Sequence, residues 1–135
     1  MSQVTVEELQ NFVDGVPYVH DLGLRIVRVE EGVCQAHLPY QARFAQYYNL
    51  IHGGVTASLA DTMLYMAHAT LNGITTDTVT TNLNVTYLQA ATEEPLNAEA
   101  RVMKNGRKLI YGEVLITNET GALIAHAAVT YLRLK

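Results

Sequence analysis

Hydrophobic and polar positions change period along the chain, and the changes divide it into a helical opening, two strands, one long helix and four further strands. Thr5-Val6-Glu7-Glu8 has the form of a capped helix start, with Glu8 three residues after Thr5. Leu9, Phe12 and Val13 then lay down an apolar stripe that ends near Gly15 and Pro17, which predicts a short leading helix within residues 1–18. Two strand-like runs follow, Leu22 to Val29 and Val33 to Tyr40, separated by Glu30-Glu31-Gly32 as in a hairpin. Pro39 and the polar segment to Asn49 read as a loop.

From Gly53 to about Asn72 the residue types favour helix, with Ala57, Leu59, Ala60, Met63, Leu64, Met66, Ala67, Ala69 and Leu71 and no proline. Apolar positions cover most of the circumference, the mark of a helix buried nearly all round. One narrow stripe differs. Gly54, Ser58, Asp61, Tyr65, His68 and Asn72 recur at steps of three and four and so share a face.

After Gly73 the period becomes two. Thr78 to Leu88 alternates, with Val79, Thr81, Leu83, Val85 and Tyr87 on one face and Thr80, Asn82, Asn84 and Thr86 on the other. A strand from about Leu96 to Met103 leads to Asn105-Gly106, a strong hairpin signal, and Lys108 to Thr117 and Leu123 to Arg133 complete an antiparallel meander. About six strands and one fully apolar helix predict an α+β fold in which a curled sheet wraps the helix. The whole chain, 1–135, reads as one domain, and its terminal sheet edges favour pairing between subunits.

Composition narrows the function classes. Residues are 49% hydrophobic and only 16% charged, against an average near 25% charged, which suits a protein that buries surface between subunits. The formal net charge of −4 and the scarcity of clustered Lys and Arg argue against nucleic acid as a partner. Cys34 is the only cysteine, so no internal disulfide forms; its alternation with Ala36 and Leu38 is that of a small buried hydrophobe. Met1 to Glu8 lacks the pattern of a signal peptide, and the most apolar stretch, Val55 to Leu71, carries Asp61 and His68, so neither export nor a membrane span is expected. A cytoplasmic protein is the expectation.

Between Arg43 and Asp77 the only formally charged side chain is Asp61. Burying an unpaired carboxylate costs several kcal/mol or shifts its pKa, so a lone carboxylate within an apolar helix is a candidate for chemistry. Nine residues before it, His52-Gly53-Gly54 opens the helix. Glycines there allow close backbone approach, and the first helical N–H groups, backed by the helix dipole, suit an anion or a polarised carbonyl oxygen. The plainer reading is that His52 caps the helix and the glycines permit a tight turn. His20, His37, His68 and His126 show no metal-ligand spacing, and Ser58 lacks a nucleophile elbow. Tyr47, Tyr48, Met63 and Met66 suit an apolar ligand pocket, and equally core or dimer packing.

His52-Gly53-Gly54, six residues and then Asp61 resembles the motif of the hotdog-fold acyl-CoA thioesterases, in particular the phenylacetate-pathway and human thioesterase superfamily type. The resemblance extends over about residues 20–135. Thr80 to Leu88 is similar to the strand after the central helix, Lys104-Asn105-Gly106-Arg107-Lys108 to a basic turn that contacts coenzyme A, and Gly121 to Ala125 to the start of the last strand. The family implies edge-to-edge dimers with each site spanning the interface, and a tetramer of two dimers. It further implies that the Gly53 N–H of one subunit polarises the thioester carbonyl and that Asp61 of the other attacks it or activates water. Thr80 would orient the water or carboxylate, His52 would hold the loop, and Gly54 and Tyr87 would contact substrate. Gln46 falls where many relatives have Asn, with Asn49 its rival, and Lys104, Arg107 and Lys108 would grip coenzyme A phosphates.

The activity expected is hydrolysis of an acyl-CoA thioester, with no metal or redox cofactor and coenzyme A present only as part of the substrate. A preorganised N–H contributes about 10²–10³ in rate and a general base about 10²–10⁴, so the two groups suffice for a substantial acceleration. The rivals are a non-catalytic acyl-CoA sensor on the same fold and a hydroxyacyl dehydratase, whose family carries its His and Asp in a different local motif.

Overall fold

The computed structural model describes residues 1–134. The chain opens with two helices. In α1, Val6–Asp14, Thr5 and Glu8 form a reciprocal capping box and Leu9 and Val13 are buried. Pro17 starts a second helix, α2, Pro17–Leu22, because proline at the first helical position gives up only an N–H that would be unpaired anyway. Gly23, left-handed at φ 78°, ends it. The leading helix expected within 1–18 is therefore two helices, and the first strand begins at Arg25 rather than Leu22.

The strands are β1 (Arg25–Glu30), β2 (Val33–Leu38), β3 (Thr78–Tyr87), β4 (Leu96–Asn105), β5 (Leu109–Thr117) and β6 (Leu123–Arg133). They form one antiparallel sheet in the order β1-β2-β4-β5-β6-β3. The central helix α3, Gly53–Asn72, lies against one face of this curled sheet, the α+β arrangement expected. Leu59, Met63, Leu64 and Met66 are almost wholly buried, each contributing about 1.5–3 kcal/mol. On β5, Ile110, Val114 and Ile116 face the helix in strict alternation. Gly112 continues that row: a Cβ there would lie 2.4 Å from Leu64 Cδ1, so its absence lets the helix settle onto the sheet.

Strand β3 pairs only with β6 and leaves its other edge free. Its ten residues carry no charge and no proline, and Val79, Leu83 and Tyr87 are exposed. A long, uncharged, apolar edge is a template for pairing with another strand, and proteins usually protect such an edge.

Candidate active site

The entry to α3 is held by its own backbone. His52 N–H donates to the Phe44 carbonyl (2.8 Å), Ile51 N–H to that of Ala91 (2.8 Å), and Ala45 bridges Ile51. Tyr48 and Asn49 both adopt left-handed conformations, φ 61° and 60°, which tighten the preceding turn at an energetic cost. His52 then caps the helix. Its Nδ1 accepts the Gly54 N–H at 2.8 Å, and a Cβ on Gly54 would lie only 3.0 Å from that nitrogen. Gly53 has a different neighbour: its carbonyl accepts from the Tyr87 hydroxyl at 2.6 Å, and a Cβ would meet that ring at 3.2–3.3 Å.

The cap therefore occupies the Gly54 N–H, which leaves the Gly53 N–H as the donor with no acceptor in the chain among the described residues. The plain reading of His52 as a cap is correct, and it is compatible with a carbonyl site one residue earlier. A cavity of about 410 Å³ opens there, lined by Gln46, Leu50, Gly53, Thr56 and Tyr87 among others. Asn49, exposed on its strained turn, does not line it.

Asp61 lies two turns further along α3, half-buried, with Thr80 donating its hydroxyl proton to Asp61 Oδ1 at 2.7 Å. A β-bulge brings Thr80 there. Pairing slips by one residue between Thr80 and Asn82, so Thr80 lies opposite the buried Tyr131 and Leu83 opposite the buried Val129. Residues 129 and 131 share a face of β6, hence Thr80 and Leu83 also share one. Unbroken alternation predicts opposite faces for the two residues. Tyr131, which sequence reasoning did not single out, donates its hydroxyl to the Asp61 carbonyl, and burial pushes its phenol pKa far up. Asp61 and Thr80 border a second cavity of about 250 Å³.

Gly53 and Asp61 stand eight residues apart on one helix, about 12 Å along its axis at 1.5 Å per residue. Reacting atoms need to approach to about 3–3.5 Å, so one chain does not bring the two groups onto one carbonyl. Lys104, Arg107 and Lys108 are more distant still. Their hairpin is pinned at the far end of α3 by Arg133, which donates to Asn105 Oδ1 (2.7 Å), Asn72 Oδ1 (3.2 Å) and the Gly106 carbonyl (3.1 Å). All three basic side chains are exposed.

Other polar groups have structural partners. Ser58 donates to the Gly54 carbonyl and bonds Tyr18. The Cys34 thiol is buried and pushed up to about 12 by that burial, so it is not a thiolate nucleophile. His68 is wholly buried beneath Tyr65 and Tyr131, its Nε2 without a partner, and desolvation, aided by Arg133 and opposed by Asp77, lowers its pKa to about 4. Met66 lines the cavity beside Asp61, Met63 is pure core, and Tyr47 and Tyr48 point to solvent. No group of three or more His, Cys, Asp or Glu able to hold a metal ion occurs among the described residues. No described helix is long and apolar enough to cross a membrane.

Comparison with known proteins gives this geometry its context. The family model of the thioesterase superfamily matches residues 48–125, from the turn before α3 into β6. The proofreading thioesterase EntH of Klebsiella pneumoniae is 32% identical over 103 residues, 76% of this chain and 75% of that one. Thioesterase superfamily member 2 of zebra fish superposes with a TM-score of 0.85 at 25% identity, covering 98% of this chain and 100% of the other. The PaaI protein of E. coli, from the phenylacetic acid degradation operon, shares the fold with a TM-score of 0.84 at 21% identity over 96% of this chain and 92% of its own. A curled antiparallel sheet around one long helix, opened by His52-Gly53-Gly54 and carrying Asp61, places the chain in the thioesterase superfamily of hotdog-fold thioester hydrolases.

Proposed function

We propose that the protein hydrolyses acyl-CoA thioesters to the free acid and coenzyme A at a site built from two copies of the chain. The observation that carries this reading is the separation of the free Gly53 donor from the Asp61 carboxylate along one rigid helix. A second copy paired along the uncharged β3 edge, with its helix antiparallel, sets Gly53 of one copy against Asp61 of the other. Thus each dimer holds two equivalent sites. Exposed Leu109, Tyr111 and Leu115 on the sheet face away from α3 support a further interface and a tetramer.

The Gly53 N–H, at the positive end of the α3 dipole, stabilises the oxyanion that develops on the thioester carbonyl. Gln46, in the same cavity, supports that oxygen from its amide. Asp61 acts as general base or as nucleophile. As base it takes a proton from water; the hydroxyl adds to the carbonyl carbon, the C–S bond breaks, and the coenzyme A thiolate leaves and is protonated. Thr80 holds the carboxylate by its hydrogen bond. The basic hairpin around Arg107 lies on the Asp61 side of the site and offers charge to the phosphates. Asp61→Asn preserves shape and removes the charge: thiol release from acyl-CoA is expected to fall at least about 10²-fold with the fold and oligomer unchanged. Activity within a few-fold of wild type would overturn the assignment.

A further inference from the structure

We propose that Phe12, on the first helix, sets the length of the acyl group this enzyme accepts. The inference rests on hydrolysis at Asp61 and adds the identity of the wall that limits the substrate. The cavity beside Asp61 and Thr80 is lined by Phe12 of α1, Val19 of α2 and Val16 between them, and by Tyr65, Met66 and Tyr131. Phe12 is half-buried and stacks on Tyr65 with ring centroids 5.1 Å apart and planes 18° from parallel.

The phenols in this cavity have their hydroxyls committed elsewhere. Tyr65 donates to the Thr75 carbonyl (2.7 Å) and accepts its N–H (3.0 Å), and Tyr131 donates to the Asp61 carbonyl. His68 packs edge-on against both rings and fixes them from behind. What they offer the cavity is ring carbon. Among the described residues no Lys or Arg lines it, so it suits the acyl branch of a thioester and not the phosphate-bearing branch.

Volume gives the limit. At about 30 Å³ for a water-sized group, 250 Å³ holds about eight non-hydrogen atoms, so the cavity fills near an eight-carbon acyl chain. Of its apolar walls, Phe12 belongs to the short helix α1, whose ring reaches the cavity by stacking on Tyr65 and not from within the sheet or central helix. The first methylene that a filled apolar pocket does not hold costs about tenfold or more in kcat/KM, so a fall of at least that size is expected past octanoyl.

The test is thiol release from straight-chain saturated acyl-CoAs, butanoyl to hexadecanoyl, by the full chain and by Phe12→Ala, Phe12→Leu and Phe12→Trp. Wild type is expected to lose about tenfold or more in kcat/KM between octanoyl and dodecanoyl. Phe12→Ala, with Phe12→Leu intermediate, should raise the dodecanoyl-to-octanoyl ratio about tenfold, chiefly through KM, while Phe12→Trp moves the fall to shorter chains. The tryptophan variant keeps the stack on Tyr65 and carries the test if the alanine variant does not fold. A profile unchanged in all folded variants, or wild type cleaving hexadecanoyl as well as octanoyl, overturns the role of Phe12 and leaves thioester hydrolysis standing. Release from no straight-chain length by folded wild type that still cleaves an aromatic acyl-CoA also overturns the role of Phe12, and release from neither kind overturns the acyl-CoA hydrolase reading and the inference with it.

Discussion

Replacing Gly53 by proline removes one hydrogen-bond donor and adds a ring beside Tyr87. Gly53 is the first residue of α3, where proline's fixed φ is favourable and its missing N–H would have had no intrahelical partner. His52, the residue before it, sits at φ −61° and ψ 133°, which a following proline tolerates. Neither the His52–Gly54 cap nor the Tyr87 bond to the Gly53 carbonyl uses the Gly53 N–H. A new Cβ meets the Tyr87 ring at 3.2–3.3 Å, so the steric control is Gly53→Ala, which brings the same Cβ and retains the N–H. Loss of one oxyanion donor costs about 10²–10³ in kcat, equivalent to about 2.7–4 kcal/mol. Thiol release should therefore fall by that factor in Gly53→Pro relative to Gly53→Ala, with both variants melting within a few degrees of each other. Equal activity in the two variants, within about threefold, would refute the role of the Gly53 N–H.

Thr80→Val keeps the β-branched shape on an exposed edge strand and removes the hydrogen bond to Asp61, so kcat should fall about tenfold with little change in stability, read by steady-state kinetics and thermal melting. Burial lowers His68 to about 4 in the folded protein, below its ordinary value of 6.5, so the unfolded chain binds a proton first as pH falls. Stability is complete above pH 6.5 and is lost as pH drops toward 4, by up to about 3 kcal/mol at 1.36 kcal/mol per unit. Denaturant unfolding between pH 7 and 4 should show that slope, and His68→Gln should flatten it.

The bounds of α3 were legible because its start and end are marked chemically: a capping histidine with two glycines at one end and Gly73 at the other. The stripe holding Asp61 followed from helical spacing, since periodicity is a property of neighbours in sequence. Three features needed long-range pairing. The bulge that turns Thr80 toward Asp61 has no local signature and is defined only by its register against β6. Tyr131 alternates like any strand residue, and nothing nearby in sequence says that its hydroxyl reaches the Asp61 backbone seventy positions earlier. Phe12 reads as one member of an apolar stripe, whereas in the fold it stacks on Tyr65 beside the carboxylate. The second leading helix differs, because Pro17 and Gly23 mark its two ends: after a helical stripe proline suggests a terminator, whereas at the first helical position it is a starter.

The claim that each site draws Gly53 from one copy and Asp61 from another is tested most directly by mixing two inactive variants. Gly53→Pro and Asp61→Asn, unfolded together in equal amounts and refolded, form half of their dimers as hybrids. In each hybrid one site receives Gly53 from the Asp61→Asn chain and Asp61 from the Gly53→Pro chain, and is intact. The account predicts recovery of about one quarter of wild-type thiol release from the mixture. Activity no greater than the average of the two variants refolded separately would contradict it.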